Sequence, residues 1–126
     1  MITLNRILIL IVGIFVLVSH VRAGDDYSNL DGGQQKIKSI QNLHEAQARL
    51  DKAYQSALAS ERDPAKKKQL IASQKAWLAY ADSVIAYFYP ASGNDWGSGT
   101  VVYLNLARIK LIEDRIHVLT PGDVYQ

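Results

Sequence analysis

Between Leu70 and Phe88, the residues Leu70, Gln74, Trp77, Ala81, Val84 and Phe88 recur at alternating spacings of four and three. That period belongs to one face of an α-helix and not to a strand, whose side chains repeat every two residues. It is the most regular pattern in the chain and has the form of a heptad seam, so this segment must present one face to other helices. Punctuation bounds it. Asp63 is placed to cap the helix, and Pro64 falls in the first turn, where no backbone donor is required. Pro90 ends it, so the helix is expected from about Pro64 to Tyr89. Lys66, Lys67 and Lys68 in its first turns read as a solvated face that opposes the helix dipole.

Two further patterns flank this one. From Gln34 to Ser60, the residues Ile37, Ile40, Leu43, Gln47, Leu50, Tyr54 and Ala57 or Leu58 fall at helical spacings. From Thr100 to Leu119, Val101, Leu104, Arg108, Leu111, Arg115 and Val118 define a stripe that Ala107 and Ile112 widen, and Thr120-Pro121-Gly122 stops it. Three long helices with short connections predict an all-α fold, a small antiparallel three-helix bundle. The connection from Ala91 to Gly99 reads as a loop, with three glycines, Ser92, Asn94, Asp95 and a lone Trp96.

Ahead of the helices, Met1 to Ala23 reads as a signal peptide. Arg6 supplies the positive end, Ile7 to Val18 the apolar run, and Val21-Arg22-Ala23 a cleavage site. The apolar run is shorter than the roughly 20 residues a spanning helix needs, so an uncleaved N-terminal anchor is the alternative reading and not the first. Residues 24–33 read as a flexible polar lead-in, 34–120 as one helical domain and 121–126 as a tail. The expected location is periplasmic or secreted, with no stable membrane insertion once the signal is cut. The chain has no cysteine. Neither a disulfide staple nor a lipid-bearing cysteine is available, and stability rests on packing. Loss of Arg6 and Arg22 with the signal leaves 12 basic residues against 12 acids. A formally neutral domain lacks the basic footprint of a nucleic-acid binder.

Catalytic and metal motifs fail in turn. His44-Glu45 begins like a zinc-protease helix, but Ala48 stands where the second His is needed. His44 and His117 without cysteine make a poor metal site. Gly97-Ser98-Gly99 lacks the glycine spacing of a nucleophile elbow, since Trp96 and Thr100 hold those places. Glu113 and Asp114 are sequence neighbours and diverge on a helix, so they are no acid/base pair. No catalytic residue, cofactor or metal is assigned, and the chain is read as a binding protein and not an enzyme.

The segment Leu70 to Asp82, LIASQKAWLAYAD, resembles the signature of the LprI-like lysozyme-inhibitor family, roughly L-x-x-x-Q-[RK]-A-W-[LI]-x-[YF]-R-D. Leu70, Gln74, Lys75, Ala76, Trp77, Leu78, Tyr80 and Asp82 match. Upstream, Leu50-Asp51-Lys52-Ala53-Tyr54 is similar to the family's L-N-x-x-Y, with Asp in place of Asn. Downstream, Gly97-Ser98 matches a Gly-Ser turn, and Arg115 matches an Arg in the last helix. The likeness covers about Leu43 to Leu119. The family commonly carries two cysteines, whose positions here fall near Ile85 and at Ala107, so the pair is replaced by apolar residues. Ala81 replaces the family's Arg before Asp82.

The resemblance implies an exported helical protein that inhibits lysozyme or another cell-wall hydrolase. Alternatives are an immunity protein against a periplasmic toxin, or an envelope adaptor that holds a partner helix. Neutral charge weakens the simplest inhibitor picture, because lysozymes are cationic and an acidic inhibitor would be steered to them. The matching residues Leu50, Tyr54, Leu70, Gln74, Trp77, Asp82, Gly97 and Arg115 are expected to be structural. Gln47 is expected to pair with Gln74, and Asp82 with Arg115. Protein binding is expected from the loop and its flanks, through Tyr89, Asn94, Asp95, Trp96 and Ser98, with Trp96 as the anchor.

Overall fold

The computed structural model describes residues 27–89 and 97–120. Three α-helices make up the fold: α1 Gly32–Ser60, α2 Pro64–Phe88 and α3 Ser98–Leu119. The all-α bundle expected from the periodicity is what forms, and no strand occurs among the described residues. The signal segment, Asn94, Asp95 and Trp96 of the loop, and the tail after Thr120 lie outside the described residues.

Local chemistry sets the helix ends. Asp31 caps α1 through a reciprocal box: its carboxylate accepts from the Gln34 amide at 2.9 Å, and the Gln34 side chain accepts from the Asp31 amide at 3.1 Å. The helix therefore begins at Gly32, inside the stretch read as a lead-in. That stretch is also tied back. Gln35 donates to the carbonyls of Tyr27 and Leu30, Asn42 donates to the Tyr27 hydroxyl at 2.9 Å, and the Lys38 ammonium lies 4.8 Å from the Tyr27 ring centre. Asp63 caps α2 by accepting from the Ala65 amide, with Pro64 in the first turn. Gly97 precedes α3, with an ordinary extended backbone and open space beside its Cα, so neither conformation nor crowding demands glycine there.

The chain runs up, down and up. Asn105 of α3 donates to Ser39 of α1, and further along Glu113 of α3 pairs with Arg49 of α1. Both partners advance together, so α1 and α3 are parallel. Their backbones approach closely along most of their length, α2 approaches α3 only over a short stretch, and α1 and α2 barely meet. The reason is in the side chains. At the α1 seam Ser39, Leu43, Ala46, Leu50 and Ala53 are buried, with Ser39 and Ala46 wholly so. Three of these five are small, which lets two helices close in on each other. Leu43, Ala46, Leu50 and Ala53 meet Ile112 and Leu119, flanked by Ile109 and Ile116, in the main core.

The α3 helix is thus two-faced. Val102, Asn105, Ile112 and Leu119 turn toward α1, while Leu111, with Leu104 and Ala107, joins Val84 and Ile85 of α2 in a second cluster. The expected α3 stripe captured Leu104, Ala107 and Leu111 of the second face but only Ile112 of the first, and Val118 is exposed. On α1 the expected Leu43 and Leu50 are buried, but the rest of the stripe is rotated: Ile37, Ile40 and Gln47 are exposed, and Ser39, Ala46 and Ala53 take the other inner positions. The α2 seam was read in phase, with Gln74 and Val84 buried and Leu70, Trp77, Ala81 and Phe88 half-buried.

Candidate functional site

Bulky Trp77 and Phe88 line α2's inner face, and α2 consequently stands off from α1. A cleft of about 500 Å³ runs between them with α3 as its floor. From α1 come Leu43, Gln47, Leu50, Asp51, Tyr54 and Gln55; from α2, Gln74, Trp77, Leu78, Ala81, Asp82 and Ile85; from α3, Arg108, Leu111 and Ile112. The arrangement is graded. Leu43, Leu50, Ile85, Leu111 and Ile112 are buried beneath, whereas Gln47, Asp51, Gln55, Leu78 and Asp82 form exposed rims.

One end of the cleft is closed by a polar clamp. Arg115 is buried, its Nε donates to Gln74 Oε1 at 2.9 Å, and its terminal nitrogen donates to Ser73 Oγ at 2.9 Å. Burial lowers its pKa from the usual arginine value, and the nearby Tyr54 pushes the other way. Gln74 is itself buried, and its carbonyl oxygen finds the guanidinium as partner. The clamp ties α2 to α3 beside Tyr54 of α1, so Tyr54, Gln74 and Arg115 meet around one charge.

Two expected pairings are corrected here. Gln74 bonds Arg115 and not Gln47, which is exposed on the α1 rim. Asp82 does not pair with Arg115. In antiparallel helices the Arg115–Gln74 contact sets the register, and Asp82 lies roughly two turns, about 12 Å, farther along α2. It stands at the level of Arg108, exposed and without an ion pair. Glu113 and Asp114 diverge as expected: Glu113 pairs with Arg49, and Asp114 with Lys110 one turn earlier.

Of the residues singled out by the motif, Leu50, Tyr54, Gln74, Trp77, Leu78 and Asp82 all line the cleft, and Arg115 closes it. Leu70 packs against the main core beneath. Ile85 and Ala107, the positions where cysteines were expected in relatives, share the second apolar cluster. Gly97 lies outside the cleft, ahead of α3. Of the residues expected to bind, Tyr89 caps α2, its amide bonding the Ile85 carbonyl. Burial, with Tyr103 adding to it, raises its hydroxyl's pKa. Ser98 is the first residue of α3. Asn94, Asp95 and Trp96 are outside the described residues. The periodicity missed the Ser39–Asn105 bond, buried at 3.0 Å. It also missed the Asp31 cap, although Asp31-Gly32-Gly33-Gln34 carries the spacing of a capping box.

Among the described residues no group of three or more His, Asp or Glu is placed to hold a metal, and no helix is long and apolar enough to cross a membrane. The cleft offers apolar surface, hydrogen-bond partners and isolated charges, which is equipment for binding.

A model of the family described as lysozyme inhibitor LprI matches residues 29–119. The match takes in all of α1, α2 and α3, and the chain belongs to this family. Among curated proteins and solved structures nothing matches.

Proposed function

We propose that this member of the LprI family is exported and inhibits lysozyme or another cell-wall hydrolase by binding alone, with the α2 rim of the cleft as its contact face. The family description supports the inhibitor role. The observation that carries the contact face is the convergence of the motif residues on one open cleft. A helix packed only for stability would have no need to leave Leu78 and Asp82 exposed beside a half-buried Trp77. Because α2 stands off from α1, it forms a ridge on which Ile71 and Leu78, each 51% exposed, flank Lys75. A ridge of this kind is convex and suits insertion into a substrate cleft, where excluding the glycan requires no chemistry. The loop with Asn94, Asp95 and Trp96, flanked by Tyr89 and Ser98, is the second contact proposed.

The test uses the chain recovered from the cell envelope. Its intact mass should begin at Gly24, and a species retaining Met1 would overturn the cleaved signal. Clearing of a peptidoglycan suspension by lysozyme should slow in proportion to added protein. Leu78→Asp should abolish this if the α2 rim makes the contact, and Trp96→Ala if the loop does. No inhibition at molar excess, and no hydrolase retained from envelope extract, would sink the reading.

A second reading, an envelope adaptor that holds a partner helix, draws on the exposure of Ile37 and Ile40 on α1 beyond what the core uses. Retention of a protein with no hydrolase activity, lost on Ile37→Asp, would favour it. An immunity protein would retain a toxin in the same experiment.

A further inference from the structure

The floor of the cleft holds a charge that the fold does not use. Arg108 is half-buried among Leu111, Ile112 and Trp77, yet among the described residues it makes no hydrogen bond and no ion pair. Arg115, one heptad farther along the same helix, by contrast donates to both Gln74 and Ser73. An arginine stem can lie along apolar surface while its guanidinium stays in water, so this charge is available to a ligand. Across the opening, Asp51 of α1 and Asp82 of α2 are exposed and likewise unpaired. Neither neutralises Arg108, although all three line one cleft.

From this arrangement we infer that the cleft is a binding site for a short peptide with a free C-terminal carboxylate and a free amino group. The carboxylate pairs with Arg108 on the floor, whose planar fork matches it in two parallel hydrogen bonds. The ammonium meets Asp51 or Asp82 at the rims. An apolar side chain lies against Trp77 and Leu111. Volume and charge both select this class. The cleft's volume of about 500 Å³ falls within the ~300–1,000 Å³ usual for small-molecule sites and is small for a folded partner. One guanidinium between two carboxylates disfavours a phosphate dianion, which the rims would repel, and favours a zwitterion. This inference rests on the cleft alone and not on the inhibitor role.

The chain has two tryptophans, so a Trp96→Phe variant leaves Trp77 as the sole indole, on the wall of the cleft. Titration with the tripeptide Ala-Ala-Leu should give a saturable change in its emission. The C-terminal amide of the same peptide should bind at least about tenfold more weakly, since one charge-assisted pair is lost. Arg108→Gln should weaken the free acid by a similar factor and leave the amide unaffected. N-acetylation should weaken binding, and Asp51→Asn with Asp82→Asn should remove that sensitivity. If Arg108→Gln fails to fold, the acid–amide comparison on the unmutated cleft still decides. No saturable change up to millimolar peptide, or equal affinity for acid and amide, would overturn the proposal. Hydrolase inhibition measured on the unmutated chain, with Trp96 in place, separates the two readings. Peptide binding without inhibition would remove the inhibitor role and leave this site standing, and inhibition without peptide binding would do the reverse.

Discussion

Along the seam between α1 and α3, Ser39, Ala46 and Ala53 recur every seven residues and let the helices close, with the Ser39–Asn105 bond buried between them. Along the seam between α2 and α3 the corresponding places carry Gln74, Trp77 and Phe88, with Arg115 opposite. The first seam joins helices far apart in sequence and running parallel. The second joins neighbours running antiparallel, the arrangement that short connections favour. Small side chains and not chain proximity therefore decide which pair is intimate. The tight pair serves as a platform, and α2 is held at a distance that opens the cleft. Four measurements sharpen or break this contrast.

The largest effect is expected in the tight seam. Leu50→Ala removes a side chain that is buried at the centre of the main core, and should cost about 2–5 kcal/mol in urea melts. Trp77→Ala removes a larger side chain but one already half open to the cleft. It should cost less than Leu50→Ala and fall below the ~3–5 kcal/mol usual for a buried tryptophan. A Trp77→Ala penalty above that of Leu50→Ala would mean that α2 is as integral to the core as α1.

Arg115→Met tests how α2 is attached. It keeps most of the apolar stem, removes the guanidinium and strands Gln74, for an expected cost of about 1.5–3 kcal/mol. Hydrogen exchange localises the loss: amides near Leu70 to Trp77 should exchange faster, while those of Ala46 to Ala53 should keep their relative protection. Equal acceleration in both would show one cooperative core and no hinge of stability between platform and ridge.

Crowding gives the third comparison. Ala46→Leu forces a larger side chain into a fully buried site between α1 and α3, and should cost about 1–3 kcal/mol. Ala81→Leu adds the same atoms beside an open cleft and should lie within about 0.5 kcal/mol of the parent. Similar penalties for both would contradict the difference in seam width.

How much of this was legible in sequence follows the same division. The α2 seam could be read in all but Ile85 because large residues at alternating spacings mark it. The α1 seam was read in part: Leu43 and Leu50 are buried as expected, but Ser39, Ala46 and Ala53 complete the seam, and periodicity weighted by hydrophobic size passes over them in favour of Ile37 and Ile40. The α3 helix serves two partners, and a helix with apolar residues on two faces shows no single stripe. Of the site, the motif brought Leu50, Tyr54, Gln74, Trp77 and Asp82 to notice but gave no sign that they surround a cleft. That depends on the distance between α1 and α2, which is set by the bulk of α2's inner face against the close α1–α3 pair. Arg108 was placed on the α3 stripe, and its lack of a partner became visible only when the register of α2 against α3 was known.

That register also governs the smallest expected effect on stability. A buried pair between Asp82 and Arg115 would make Asp82→Ala cost about 3–5 kcal/mol, because an unpaired charge would be left inside. With Arg115 held by Gln74 and Ser73, and Asp82 exposed at the cleft rim, the same change should move the unfolding midpoint by less than about 0.5 kcal/mol equivalent. The variant is more informative for being stable. Asp82 lies within the stretch matched to the family, and a solvent-exposed carboxylate at the cleft rim with no structural partner is a candidate for a role in binding. Loss of hydrolase inhibition or of peptide affinity in a chain that melts like the parent would assign it that role. Undiminished binding in a stable Asp82→Ala chain would leave the contact to Leu78 and the apolar floor. A large stability loss would return Asp82 to the interior and overturn the register on which the whole cleft depends.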